Sequence, residues 1–303
     1  MNLIVIVLSL LLERGLGHYQ HLRRLAWLGG YRRFVFSFIP RKKRNGIGAV
    51  LALLLPIFIT MLVIQITLWA WFGLLAYGLF ALVLGVVVVT YCLGPEIFNE
   101  LVDDYLYARE RVDVNRTRSV GEILLGKSVP DSLLEQDRAI ALAVFRECNT
   151  RIFGVLFWYL VLGPAGALLF RVSAAIMHEA RREQSNLQAA AQKIFGLLGW
   201  IPARITAMGF FLAGSFEDAV DGWRRARVGD QDWHQQNERL LAKTGAAAMQ
   251  HEVEDIVLDD ETTDEETLYW VRAARGLVLR TLVVWLVGIA LMTLGGWTGW
   301  GFK

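Results

Sequence analysis

The sequence offers few soft metal ligands or disulfide partners: two cysteines, Cys92 and Cys148, and five histidines in 303 residues. Cys92 closes an apolar run and Cys148 sits where a polar stretch turns apolar, with no paired spacing. That excludes a disulfide framework and a zinc site, and leaves two cysteines behaving as small hydrophobes. His18, His21, His178, His234 and His251 are scattered. His18 and His21 could share a helix face, but no carboxylate stands at metal spacing beside them, so they read as interfacial. Charge is absent from Asn45 through Leu93, which excludes an ordinary soluble domain. The apolar runs do not alternate, which excludes a transmembrane barrel built from roughly 10-residue alternating segments. The N-terminus lacks a basic leader and a small-residue cleavage motif, so Leu3–Leu12 reads as a short retained membrane helix or the start of a longer one. No internal repeat of the kind that builds many transporters is visible.

What is present is apolar helix. Hydrophobic residues make up 55% of the chain and mean hydropathy is +0.41, both in the range of a membrane protein. A run of about 20 apolar residues crosses the hydrocarbon core as a helix, with every backbone group satisfied within the segment. The expected architecture is all-α: a polytopic helical membrane protein with broken or re-entrant helices and cytoplasmic helical extensions, forming one domain over 1–303. Candidate spans are 3–14, 48–68, 70–92, 153–170, 196–214 (broken) and 277–296. Trp69, Trp71, Trp158, Tyr159, Trp200, Trp297 and Trp300 cluster near their ends, as amphipathic rings do at the interface. Gly73, Gly78 and Gly85 offer places for a second helix to approach.

The polar stretches differ in sign. Residues 13–44 carry nine Lys/Arg and one acid, and Arg23, Arg24, Arg32, Arg33 and Arg41–Arg44 alternate with aromatic and leucine side chains. This basic amphipathic surface suits anionic headgroups and the cytoplasmic side, and needs no nucleic acid to explain it. Residues 94–151 carry eight Lys/Arg and eleven acids, with Ile97, Leu101, Tyr105 and Ala108 at helical spacing. Residues 216–276 carry fifteen acids and seven Lys/Arg, concentrated between Glu252 and Glu266. Without a central Gly that run is not an EF-hand, and it reads as a solvated face.

Three local patterns bear on chemistry. Gly121 to Ser128 matches G-x-x-x-x-G-K-[ST], so Gly121, Gly126, Lys127 and Ser128 are candidate nucleotide ligands. The charged stretch Arg109–Val120 ahead of it is not a buried strand, and a helix ending at Gly126 is the competing reading. From Asn149 to Arg171 an apolar segment is interrupted by Gly163-Pro164, which frees carbonyls that must line a cavity or pack on protein. Trp200-Ile-Pro202-Ala-Arg204 again sets a helix breaker beside a cation at depth, where an unpaired charge costs about 2.5–3.5 kcal/mol. Two broken helices with Arg204 facing inward fit a membrane-embedded anion site, and plain packing fits the same residues.

The segments Phe157-Trp158…Gly163-Pro164-Ala-Gly166 and Trp200-Ile-Pro202-Ala-Arg204-Ile-Thr206-Ala, with Leu-Leu-Leu-Glu13-Arg14, resemble the AmpE family. So do Ala213-Gly214-Ser-Phe216…Trp223, Asn237-Glu-Arg-Leu-Leu, and Trp285…Gly296-Trp297. That family is related to the CobD/CbiB membrane synthases of cobalamin assembly. The resemblance implies an inner-membrane protein linked to β-lactamase induction, to cell-wall recycling and to the AmpD amidase. The related synthases use ATP to join an aminopropanol compound to a corrinoid carboxylate. Where they carry Glu-Asn and Asp-Gly, this chain has Arg146-Glu147 and Thr150-Arg151, and their Gly-Arg-Asp-Thr loop appears as Gly126-Lys127-Ser128-Val129. Carboxylates that could hold Mg²⁺ are thus replaced, and the replacements lean basic.

The leading expectation is therefore a signalling protein of β-lactamase induction that binds a small anionic ligand. The alternative is an ATP-dependent, amide-forming synthase related to adenosylcobinamide-phosphate synthase with altered substrate, bringing ATP and Mg²⁺ as cofactors. A muropeptide transporter is a third reading. The expected ligand-binding residues are Glu13, Arg14, Glu147, Asn149, Arg151, Trp158, Arg171, Trp200 and Arg204, of which Glu13, Arg151, Trp158, Arg171, Trp200 and Arg204 are expected to converge on one cytoplasm-facing cavity. No resident metal is expected. The bilayer and a second copy of the chain are the other expected partners.

Overall fold

The computed structural model describes residues 2–15, 27–40, 46–93, 95–182, 187–226, 232–249 and 264–295. Arg23, Arg24, the Arg41–Arg44 run, Trp297, Trp300, and the side chains of Glu13, Arg14, Trp69, Trp71 and Glu252–Glu266 lie outside the described residues. The described chain is helical throughout: α1 (Asn2–Gly15), α2 (Trp27–Phe38), α3 (Ile47–Cys92), α4 (Pro95–Glu110), α5 (Val114–Leu125) and α6 (Leu133–Cys148). A π-helical segment, Asn149–Phe153, follows, then α7 (Gly154–Leu162), α8 (Pro164–Arg182), α9 (Gln188–Ala213), α10 (Phe216–Ala226), α11 (Trp233–Ala248) and α12 (Asp264–Leu294). Stretches Ile47–Leu68, Gln188–Ala213 and Leu268–Leu294 are long and apolar enough to cross a membrane. The protein is an all-α polytopic membrane protein.

The two spans expected at 48–68 and 70–92 fall within one helical run, α3, and that run doubles back. Tyr31 donates its hydroxyl to the Leu53 carbonyl at 3.0 Å, and Trp27 Nε1 donates to Tyr91 Oη at 2.9 Å. Trp27 and Tyr31 are one turn apart on α2, whereas Leu53 and Tyr91 would stand about 57 Å apart on a straight helix rising 1.5 Å per residue. A second pair agrees. A Cβ on Gly163 would meet Gln65, and one on Gly85 would meet the Tyr159 hydroxyl, although Tyr159 and Gly163 are again one turn apart. The reversal lies between Gln65 and Gly85, and the arms run side by side as the sequence leads one to expect.

The span expected at 153–170 is divided where Gly163-Pro164 stands. Gly163 adopts φ 67°, ψ −155°, a conformation open only to glycine, and Pro164 opens α8 at the position that needs no N–H. The break expected at Pro202 does not occur: α9 runs through it without interruption. Proline has no N–H for the carbonyl four residues back, here Leu198. Trp158 supplies the missing donor, its indole Nε1 reaching the Leu198 carbonyl at 3.0 Å. The freed group is therefore satisfied by a neighbouring helix, and the cost of unwinding is avoided.

Helix α9 is the central element, with half of its most apolar window buried inside the protein against 28% for the other two spans. It packs on α8, α10, α11 and α12. Gly196 lets α11 come close, since a Cβ there would collide with the backbone nitrogen of His234. The polar stretch 94–151 folds as α4, α5 and α6, tied by a buried group: Tyr105 donates to Asp137 Oδ1 at 2.5 Å, and Arg109 Nη2 to Oδ2 at 2.9 Å. Ion pairs Arg272–Glu110 and Arg275–Asp103 fasten α12 to α4.

Candidate functional site

The π-helical segment joins the polar half of the molecule to the apolar half. Its extra residue shows in the backbone, where the Gly154 N–H bonds back to the Asn149 carbonyl five positions earlier. Such single-turn π segments re-aim the side chains beside them and recur at functional sites. Here Glu147 and Arg151 are aligned across the junction as an ion pair of 2.8 Å, each about a quarter exposed. Arg171 and His178 lie seven residues apart on one face of α8, within electrostatic reach of the same pair. The last residues of α3, Tyr91 and Cys92, are Arg171's other neighbours.

One carboxylate thus faces two guanidinium groups and an imidazole. Burial alone would raise the Glu147 carboxyl, but Arg151, His178 and Arg171 outweigh it and hold it below its ordinary 4.5. For Arg171, burial and then the like charge of Arg151 lower the guanidinium from its usual value, opposed by Cys92 and Glu147; it stays charged, as arginines in proteins do. His178 is lowered from 6.5 by the crowding around it and by Arg151 and Arg171, against the pull of Glu147. The group carries a surplus of positive charge and a neutral imidazole.

A second polar group lies where α9 meets α11. The Arg204 guanidinium lies 3.8 Å over the Trp200 ring. It donates to the Trp200 carbonyl at 3.0 Å and to Asn237 Oδ1 at 3.4 Å. Asn237 in turn donates to the Gly196 carbonyl at 2.8 Å. Beside them is a hollow of about 270 Å³ lined by Arg204, Trp223, Ala226, Gln236 and Leu240. Asn149 stands between the two groups: its Nδ2 and that of Asn237 lie 3.6 and 3.3 Å from the place a Gly199 Cβ would take. Asn149 is buried, and its Oδ1 has no partner among the described residues.

Of the residues singled out in the sequence, Glu147, Arg151 and Arg171 form the first group, Trp200 and Arg204 the second, and Asn149 lies between. Trp158 serves the backbone of α9. Glu13 and Arg14 end α1, with side chains outside the described residues. The Gly121–Ser128 match corrects to a helix end. Gly121 is buried inside α5, the 121–125 amides belong to helix, and Gly126 closes it at φ 65° with its N–H on the Glu122 carbonyl. A phosphate cradle needs those amides free at a helix start. His178 and Asn237 were not anticipated, because each sits on an amphipathic helix whose polar face looks merely solvated.

The donor set does not suit Mg²⁺. Among the described residues no three His, Cys, Asp or Glu side chains come together, and Glu147 is engaged by Arg151. Mg²⁺ is held by one or two free carboxylates plus phosphate oxygens, so no metal-borne step is assigned to these residues.

A family model described as CobD/Cbib protein matches residues 6–294. The chain is 32% identical over 152 residues to a protein of Chromobacterium violaceum named cobalamin biosynthesis protein CobD, covering 48% of this chain and 44% of that one. It is 30% identical over 118 residues to one of the same name from Stutzerimonas stutzeri, covering 37% of each. The alignments thus span less than half of either relative. No solved structure matches. These matches support the CobD/CbiB side of the resemblance, and they do not show the closer kinship with AmpE that the motifs suggest. With nearly its whole length matched, the chain belongs to the CobD/Cbib family.

Proposed function

We propose that the protein works at the membrane in cobalamin assembly, as its CobD relatives are named for, and handles a carboxylate-bearing substrate at Glu147, Arg151, Arg171 and His178. The observation that carries this is the surplus of guanidinium over carboxylate around the π-helical junction of a family member. Planar guanidinium groups match a carboxylate with two parallel hydrogen bonds. In the amide-forming reading, an amine attacks the carboxyl carbon, the C–N bond forms, and the displaced oxygen leaves with the group that activated it. The nitrogen must then lose a proton. His178, whose charged form is disfavoured first by the crowding around it and then by Arg151 and Arg171, is the side chain suited to accept it. Glu147 keeps Arg151 oriented and limits the net charge of the empty site.

A second reading, a non-catalytic inner-membrane regulator of the AmpE type that binds the same class of anion, is favoured by the single engaged carboxylate and the lack of a metal-ligand cluster among the described residues. Complementation separates the two. In a bacterium lacking its own CobD-type protein, expression of this chain should restore cobalamin-dependent growth, and Arg171→Ala at equal membrane abundance should abolish it. Failure of the wild-type chain to restore growth, together with altered β-lactamase induction when its own gene is deleted, would favour the regulator.

A further inference from the structure

The basic aromatic helix α2 takes no part in the proposed chemistry, and its three faces are distinct. One side packs inward: Leu28 is buried, Tyr31 bonds to Leu53, and Arg32 pairs with Glu179 of α8 at 3.6 Å. A second side is an aromatic stripe. Trp27, Phe34 and Phe38, spaced seven and four residues apart, share one line along the helix. They are 43%, 65% and 74% exposed, and the two phenylalanine rings touch edge to face at 5.2 Å. The third side is polar, with exposed Gly30, Arg33 and Ser37; the Arg33 Nε rests on the Gly29 carbonyl at 3.4 Å.

The position of α2 says what these outer faces meet. Tyr31 reaches Leu53, about two turns into the span that starts at Ile47. Trp27 reaches Tyr91, next to the last residue of the returning arm. Helix α2 therefore lies across the end of the α3 hairpin where both arms leave the membrane. An apolar stripe at that level meets acyl chains, and a cation a quarter-turn away meets headgroups. The surrounding stretch 13–44 holds nine Lys/Arg against one acid. A neutral bilayer gives such a charge excess no partner, and a second copy of the same basic face would repel it.

We infer that α2 is a docking helix for anionic phospholipid headgroups, with Phe34 and Phe38 set among the acyl chains and Arg33 on the phosphates. The test uses the full chain. Cys92 and Cys148 are buried, so a fluorophore can be directed to Phe38→Cys. The labelled protein is placed in vesicles of phosphatidylcholine alone, and of phosphatidylcholine and phosphatidylglycerol in equal parts. The label should be quenched by a lipid-borne quencher more strongly in the second vesicle than in the first, and less by a water-borne one. Arg33→Gln, at an exposed position that leaves folding intact, should weaken phosphatidylglycerol retention in native mass spectrometry about fivefold, the effect of one surface cation. Equal depth in both vesicles, a label open to water in both, or a label that couples one copy to another would each overturn the inference.

Discussion

At the residue scale the fold rests on a few buried polar groups with definite partners. Asp137 is fully buried and shared by Arg109 and Tyr105; burial and then Asp137 push the Tyr105 hydroxyl well up. Asp137→Ala takes the carboxylate away from the buried Arg109 guanidinium and Tyr105 hydroxyl and should cost about 3–5 kcal/mol, read as a lower Tm in detergent. Adding Arg109→Leu should recover much of that loss. The candidate site predicts its own pH dependence. Glu147 has its folded carboxyl below 4.5, so its stabilisation is present above 4.5 and lost as pH falls through the lower folded value. His178 is lowered from 6.5, so the unfolded chain binds the proton first and stability falls as pH drops below 6.5. In Tm against pH, His178→Gln should flatten the upper limb and Glu147→Gln the lower one. The Glu147–Arg151 spacing is legible in the sequence because i,i+4 pairs meet on any helix. Asn237 is not, since its partners Gly196 and Arg204 come from another helix.

At the scale of elements, sequence reading succeeds where the chain carries its own signal and fails where a distant group intervenes. Gly163-Pro164 breaks a helix because the glycine must take a positive φ and the proline prefers to start anew. Pro202 carries nearly the same signal, yet α9 continues, because an indole 44 positions earlier in the sequence completes the ladder. Trp158→Phe keeps the ring bulk and removes the donor. It should cost about 1 kcal/mol, the lower end of the penalty for an orphaned carbonyl, because this one is only partly buried, and Pro202→Ala in the same protein should cancel most of it, since alanine restores the amide. The same melting curves measure both. The hairpin of α3 is open to a direct check. Spin labels at Ile59 and Val83, exposed on opposite arms, should lie within about 25 Å of each other, whereas an unbent helix would separate their backbones by about 36 Å.

At the scale of the whole molecule, the apolar runs are enough to read an all-α membrane protein, because a charge-free stretch of that length has few other solutions in water or lipid. The motif order points to the correct superfamily neighbourhood, and the match over residues 6–294 places the chain in the CobD/Cbib family. What the sequence hides is how the polar and apolar halves meet. The π-helical segment has no composition of its own, and it decides which side chains from α6 and α8 face one another. We propose that this junction holds a carboxylate-bearing substrate. Equilibrium dialysis of a corrinoid with free carboxylates against the detergent-purified protein tests it most directly, since corrinoids are read by their visible absorbance. The wild-type chain should bind saturably, and Arg171→Ala should bind at least about thirtyfold more weakly, the lower end of the range for losing one partner of a hydrogen-bonded charge pair. Equal binding by the two proteins, or none by the wild type, would contradict it.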